Sequence, residues 1–117
     1  MVAGGVDPIL AAGIAGNVQQ ESSFNPDSIS PGGKYRGYAQ LSPDLVNYVR
    51  AAYGGYDHAH QMQFLIDMAK GSPRAVEGNA TYNDMLNRAK AFVGGTYVTP
   101  QSAAFGWEKS FERSGGQ

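Results

Sequence analysis

Four of the six prolines in this chain stand directly after a residue able to cap a helix, as Asp7-Pro8, Ser42-Pro43, Ser72-Pro73 and Thr99-Pro100. A Ser, Thr or Asp side chain accepts from the unpaired N–H groups of a first helical turn, and proline is tolerated at the first helical position because its missing N–H has no partner there. The pairs predict at least four helix starts. The first helix should run from Pro8 to Glu21 with Leu10, Ile14 and Val18 as its buried stripe. The second follows Ser42, carries Leu45, Val49 and Ala52 inward, and stops at Gly54-Gly55. A third begins near Asp57 and packs Met62, Leu65, Ile66 and Ala69 before Lys70-Gly71, with a short helical turn expected at Ser72 to Val76. The fourth spans Thr81 to Phe92, with Met85, Ala89 and Phe92 inward, and ends at Gly94-Gly95. The last runs from Thr99 to about Phe111, where Trp107 and Phe111 pack onto the core, and the Ser114–Gln117 tail is expected to fray. Asn25 to Gly37, rich in Pro, Ser, Asn, Asp and Gly, reads as an ordered loop whose continuation, Lys34 to Leu41, suits a short irregular β-hairpin. The expected class is mainly α, without internal repeats.

A length of 117 residues with 42% hydrophobic and 16% charged side chains suits one compact domain, 1–117. Nine Lys+Arg against ten Asp+Glu give a net charge of -1. No overall positive field is available to hold a polyanion, so nucleic acid is not an expected partner. The absence of cysteine removes disulfides, thiol catalysis and thiolate zinc sites. No apolar run approaches the roughly 20 residues of a membrane span, and Met1 leads into Val-Ala-Gly-Gly without a basic and then apolar leader. Work outside the cytoplasm would therefore depend on another carrier.

Chemistry concentrates at the end of the first helix. At roughly 100° per residue, Glu21 falls within about 20° of both Leu10 and Ile14, so its carboxylate lies along the apolar stripe. Partial desolvation and the negative end of the helix dipole both disfavour ionisation there. A carboxyl held neutral near neutral pH is a candidate general acid. Asn17, one turn earlier, is placed to hydrogen-bond it.

Glu21-Ser22-Ser23-Phe24-Asn25-Pro26, Ser30-Pro31-Gly32-Gly33 and Gly37-Tyr38-Ala39-Gln40-Leu41 together resemble the active-site signature of the lysozyme-like superfamily, closest to phage tail lysozymes and soluble lytic transglycosylases. The nine-residue Glu-to-Ser spacing of the transglycosylases holds for Glu21 and Ser30, and Gln40 arrives one residue late, an insertion that Gly32 to Arg36 can absorb. Downstream, Gln61-Met62-Gln63-Phe64-Leu65 and Ala103 to Arg113 look more like the tail lysozymes. The resemblance implies a lysozyme-like helical domain with a loop or hairpin beside an active-site groove. It implies Glu21 as the acid that protonates the glycosidic oxygen, Ser30 touching the N-acetyl group, and Gln40 lining the neighbouring subsite. It further implies cleavage of the β-1,4 bond between N-acetylmuramic acid and N-acetylglucosamine, without metal or organic cofactor, by a virion-associated tail domain acting in the periplasm or cell wall. Peptidoglycan strands and other tail proteins are the implied partners, and the isolated domain is expected to be a monomer. The Ala-Tyr-Asn-x-Gly cleft segment of the transglycosylases has no counterpart beyond the distant echo Ala51-Ala52-Tyr53-Gly54-Gly55. Anhydro-product formation and a glycan-binding or structural tail module stand as the alternatives.

A two-carboxylate glycosidase needs a second acid across the scissile bond. Asp27 is the first candidate, with Asp44 and Glu112 behind it; the plainer readings are an Asx turn for Asp27, a first-turn dipole role for Asp44 and a surface charge for Glu112. If none faces Glu21, a single-acid mechanism using the substrate's acetamido group or 6-hydroxyl is preferred. Sugar rings stack on aromatics, and Tyr35, Tyr38, Tyr53 and Tyr56 are candidates for a cleft wall. His58 and His60 face different directions on a helix and lack a third ligand, so capping or surface roles are expected and no metal site.

Overall fold

The computed structural model describes residues 4–76 and 78–112, the last of these for its backbone only. Five α-helices form among them: α1 (Pro8–Ser22), α2 (Pro43–Tyr53), α3 (His58–Ala69), α4 (Ala80–Val93) and α5 (Pro100–Trp107), the last continuing into a π-helical segment, Glu108–Glu112. The fold is mainly α, as expected from the sequence. The Ser114–Gln117 tail lies outside the described residues.

Three of the four proline pairs open helices. The Asp7 carboxylate accepts from the Ile9 N–H at 2.9 Å, and Thr99 and Ser102 close a reciprocal capping box. Ser42 precedes α2 without a side-chain cap bond. Ser72-Pro73 opens no helix, and no helical turn forms over 72–76, which corrects the expectation above. Tertiary contacts hold that segment instead: the Tyr53 hydroxyl accepts from the Arg74 N–H at 2.8 Å and the Tyr48 hydroxyl donates to the Arg74 carbonyl. With both Arg74 backbone groups bonded to side chains from α2, local capping preference is overridden. Asp57 and Asn79 cap α3 and α4 through their side chains.

Aromatic rings join the helices. Trp107 packs edge-on to Phe92 of α4 at 5.2 Å and tilts against Phe111 at 4.7 Å, and Phe111 meets Phe64 of α3, which also touches Tyr48 and Tyr53 of α2. Trp107, Phe92, Phe64 and Phe111 are fully buried, so each contributes roughly 2–3 kcal/mol of apolar transfer. The expected stripes on α2, α3 and α4 do face this core, and Phe64 and Met68 join them.

Gly13 fixes how α1 lies on α5. A Cβ there would come within 2.7 Å of the Ala103 Cβ, the Ala104 nitrogen and the Pro100 carbonyl oxygen. Only glycine permits this approach. Further along α1, Glu21 lies within reach of the charge of Glu108, which follows the end of α5.

Between α1 and α2 the loop contains two isolated antiparallel bridges, Ile29 with Arg36 and Arg36 with Leu41. Arg36 and Leu41 exchange backbone hydrogen bonds at 3.0 and 2.8 Å. The expected hairpin is thus reduced to single bridges around Arg36. No described helix is long and apolar enough to cross a membrane.

Candidate active site

The chain leaves α1 under strain. Ser23 (φ 53°) closes the helix in the left-handed region with its N–H on the Gln19 carbonyl at 2.8 Å, and Phe24 (φ 61°) follows in the same region. Left-handed backbone costs a non-glycine residue about 1–2 kcal/mol, so two in succession require support from their surroundings. The Asn25 side chain supplies some of it by accepting from the Asp27 N–H at 2.9 Å. The Asx turn at this corner therefore belongs to Asn25, and the Asp27 carboxylate is left to other neighbours.

Gln61 ties this corner to α3. Its amide oxygen accepts from the Tyr38 N–H at 2.8 Å, while its nitrogen donates to the carbonyls of Pro26 (2.8 Å) and Tyr56 (2.7 Å). The side chain is 3% exposed, so all three bonds form away from competing water. Gly37 (φ 84°) has no room for a Cβ, because the Gln61 amide oxygen and Tyr56 hydroxyl occupy that space.

Glu21 stands half-buried on the last turn of α1. Burial first, and the negative charge of Glu108 second, push its carboxyl above the ordinary glutamate range. Glu108 is exposed at the first position of the π-helical segment, a type of widened turn frequent at functional sites. The sequence reading did not single out Glu108. Its signal was indirect: Gly13, small enough to admit a neighbouring helix, and the run Ala103-Ala104 on the helix admitted.

The other candidate residues separate into distinct places. The Ser30 hydroxyl accepts from the Tyr35 N–H at 3.0 Å, and the Ser30 N–H donates to the Tyr35 carbonyl at 2.9 Å, which folds the tip carrying Tyr35. Tyr35 borders a cleft of about 370 Å³ with Lys34, Ser42, Asp44, Thr81, Asp84 and Arg88. Arg88 donates to the Phe111 carbonyl at 2.7 Å and pairs with Asp84 at 2.9 Å. One wall of this cleft is therefore bonded to the same π-helical segment that carries Glu108.

Gln40 adopts a left-handed backbone (φ 51°) and donates its amide N–H groups to the Gly37 carbonyl at 2.9 Å and the Ser28 carbonyl at 3.2 Å. Its nitrogen is committed to the loop. The Tyr38 ring is buried and its hydroxyl meets His58 Nδ1, so it lies beside an apolar groove between α1 and α3 rather than in the Tyr35 cleft. Tyr53 is buried in the core, which corrects its place in a cleft wall, and the half-buried Tyr56 borders the depression beside Asp27 rather than the Tyr35 cleft. The Tyr53 hydroxyl donates to Asp67 at 2.8 Å and that of Tyr56 to the Arg36 carbonyl at 2.7 Å, and burial raises both phenols.

Asp27 is exposed above a third depression, with Arg36, Arg50, Tyr56 and Asp57. Asp44 borders the Tyr35 cleft, and the Glu112 side chain lies outside the described residues. The carboxylate whose charge acts on Glu21 is Glu108, not Asp27. His60 reaches back to the capping carboxylate of Asp57. Among the described residues no group of three or more His, Asp or Glu is placed to hold a metal.

A helix-terminal, half-buried acid held toward its neutral form is the general acid a lysozyme-type site requires; Glu21 itself is not among the residues that line the clefts described above. The family model for phage tail lysozymes matches residues 1–117, and the chain belongs to that family. Its function is accordingly lysozyme-like and peptidoglycan-related, and its setting is the phage tail. No curated protein and no solved structure matches it.

Proposed function

We propose that this protein is a muramidase that cuts the β-1,4 bond between N-acetylmuramic acid and N-acetylglucosamine, with Glu21 as general acid. The observation that carries the reading is the position of Glu21, half-buried at the end of α1 and raised by burial and by the Glu108 charge. A carboxyl that keeps its proton gives it to the bridging oxygen as the bond from C1 breaks, and the oxocarbenium-like centre then adds water. The water loses one proton as it adds, and that proton returns to the Glu21 carboxylate directly or through solvent. Glycan strands would lie along the cleft bordered by Tyr35, Asp44, Asp84 and Arg88, where hydroxyl and acetamido groups meet charged and polar side chains. Ser30 supports Tyr35 from beneath. Gln40 keeps its amide oxygen for the substrate while its nitrogen holds the loop. In this reading the domain acts as a monomer carried on the virion, working in the periplasm or cell wall.

The test is digestion of purified peptidoglycan followed by mass analysis of the new ends. Hydrolysis leaves reducing muramic acid ends. Ends lighter by one water identify a lytic transglycosylase, and intact glycan with retained binding identifies a silent glycan-binding module.

A further inference from the structure

Asn17 and Glu21 stand one turn apart on α1, so their Cβ atoms are neighbours about 5–6 Å apart. Long side chains on a helix lean toward its N-terminus, which lays the Glu21 side chain over the turn that carries Asn17. Asn17 is 6% exposed, and its amide oxygen is buried without a hydrogen-bond partner. Such an acceptor is costly if it stays unpaired, so its environment is expected to offer a donor. Two candidate donors lie on the packed pair α1 and α5. One is the Trp107 indole N–H on α5, also buried and unpaired. The other is the Glu21 carboxyl, which becomes a donor only when protonated.

We propose that Asn17 is a positioning residue for Glu21, its buried amide oxygen accepting the O–H of the neutral carboxyl and thereby holding the acid ready to donate. This deepens the muramidase reading and rests on it for its functional meaning. A hydrogen bond made only to the neutral form opposes ionisation, in the same direction as the desolvation and Glu108 charge that already raise Glu21. The charged surroundings are few. α5 has no titratable side chain between Pro100 and Trp107, and Glu108 follows at the head of the π-helical segment. Arg88, reaching that segment from α4, is bonded to the Phe111 carbonyl and Asp84. Apart from Asn17, no neutral polar group on α1 is both buried and unpaired among the described residues.

The experiment is a carbon-detected NMR titration of the Glu21 carboxyl in the native chain and in Asn17→Leu, which removes the acceptor at similar volume. The Glu21 midpoint should fall in Asn17→Leu, and in the native chain the Asn17 side-chain carbonyl should titrate with Glu21. The alkaline side of the cell-wall lysis profile should move to lower pH, with a several-fold loss of rate above the midpoint and little loss below it. A midpoint that stays put, with an Asn17 carbonyl blind to Glu21, overturns the proposal. A midpoint that rises overturns it too, because the amide nitrogen would then be donating to the carboxylate. If Asn17→Leu fails to fold, Asn17→Ala and the native-chain titration give the same decision. Absence of lysis by the native chain would count against the muramidase reading alone, since the titration is read without activity.

Discussion

Glu108, at the head of the π-helical segment, acts through its charge on Glu21 at the end of α1, and with burial it holds the Glu21 carboxyl above the ordinary glutamate range. The relation depends on Gly13, whose missing Cβ lets α1 and α5 lie against each other. A glycine two turns before the acid thus sets the environment of the acid.

Removing the Glu108 charge is expected to ease ionisation of Glu21. In Glu108→Gln the alkaline side of the lysis profile should move to lower pH while the rate on the acid side is kept. A profile that does not move would show that burial alone raises Glu21.

Glu21 also carries a stability cost that Glu21→Gln should remove. A carboxyl raised by folding favours the folded state while protonated, below the unfolded value of about 4.3, and this advantage is lost as pH rises through the folded midpoint. Above that midpoint the buried charge is a net cost. Glu21→Gln should therefore melt at a higher temperature than the native chain at neutral pH and at the same temperature well below pH 4. Paired thermal melts at the two pH values check the sign.

Gly13→Ala should destabilise by about 2–3 kcal/mol or more, because its methyl group meets backbone atoms of α5. Gly16→Ala meets no atom within 4 Å and should instead stabilise by up to about 1 kcal/mol through helix propensity. Denaturant unfolding of the two variants separates packing from propensity, since both sit on the same helix.

Gln61→Leu should cost about 3 kcal/mol by leaving the Tyr38 N–H and the Pro26 and Tyr56 carbonyls without their partner. Because these bonds hold the corner after α1, hydrogen exchange at Tyr38 should accelerate more than exchange in the α4 interior.

Much of the fold was legible because its signals are local. Asp7-Pro8 and Thr99-Pro100 cap helices through their own side chains, and Met85, Ala89 and Phe92 follow a helical period onto the core. Ser72-Pro73 carries the same local signal and fails, because two tyrosines from α2 take the backbone groups of Arg74. Within the candidate site, Glu21 was legible from its place on the wheel and from the motif around it. Glu108 was not, since its relation to Glu21 arises from a helix crossing more than eighty residues apart in sequence. Tyr53 misled for a related reason: a tyrosine beside a Gly-Gly turn looks available, yet its ring is buried and its hydroxyl donates to Asp67. Side-chain bonds to distant backbone leave no periodic trace.

The most direct measurement is the initial rate of turbidity loss of purified cell walls, compared across pH for the native chain and Glu21→Gln. The native rate should fall on the alkaline side as Glu21 ionises, and Glu21→Gln should be slower by at least about 100-fold at every pH. Equal rates for the two proteins would contradict the assignment of Glu21 as the proton donor.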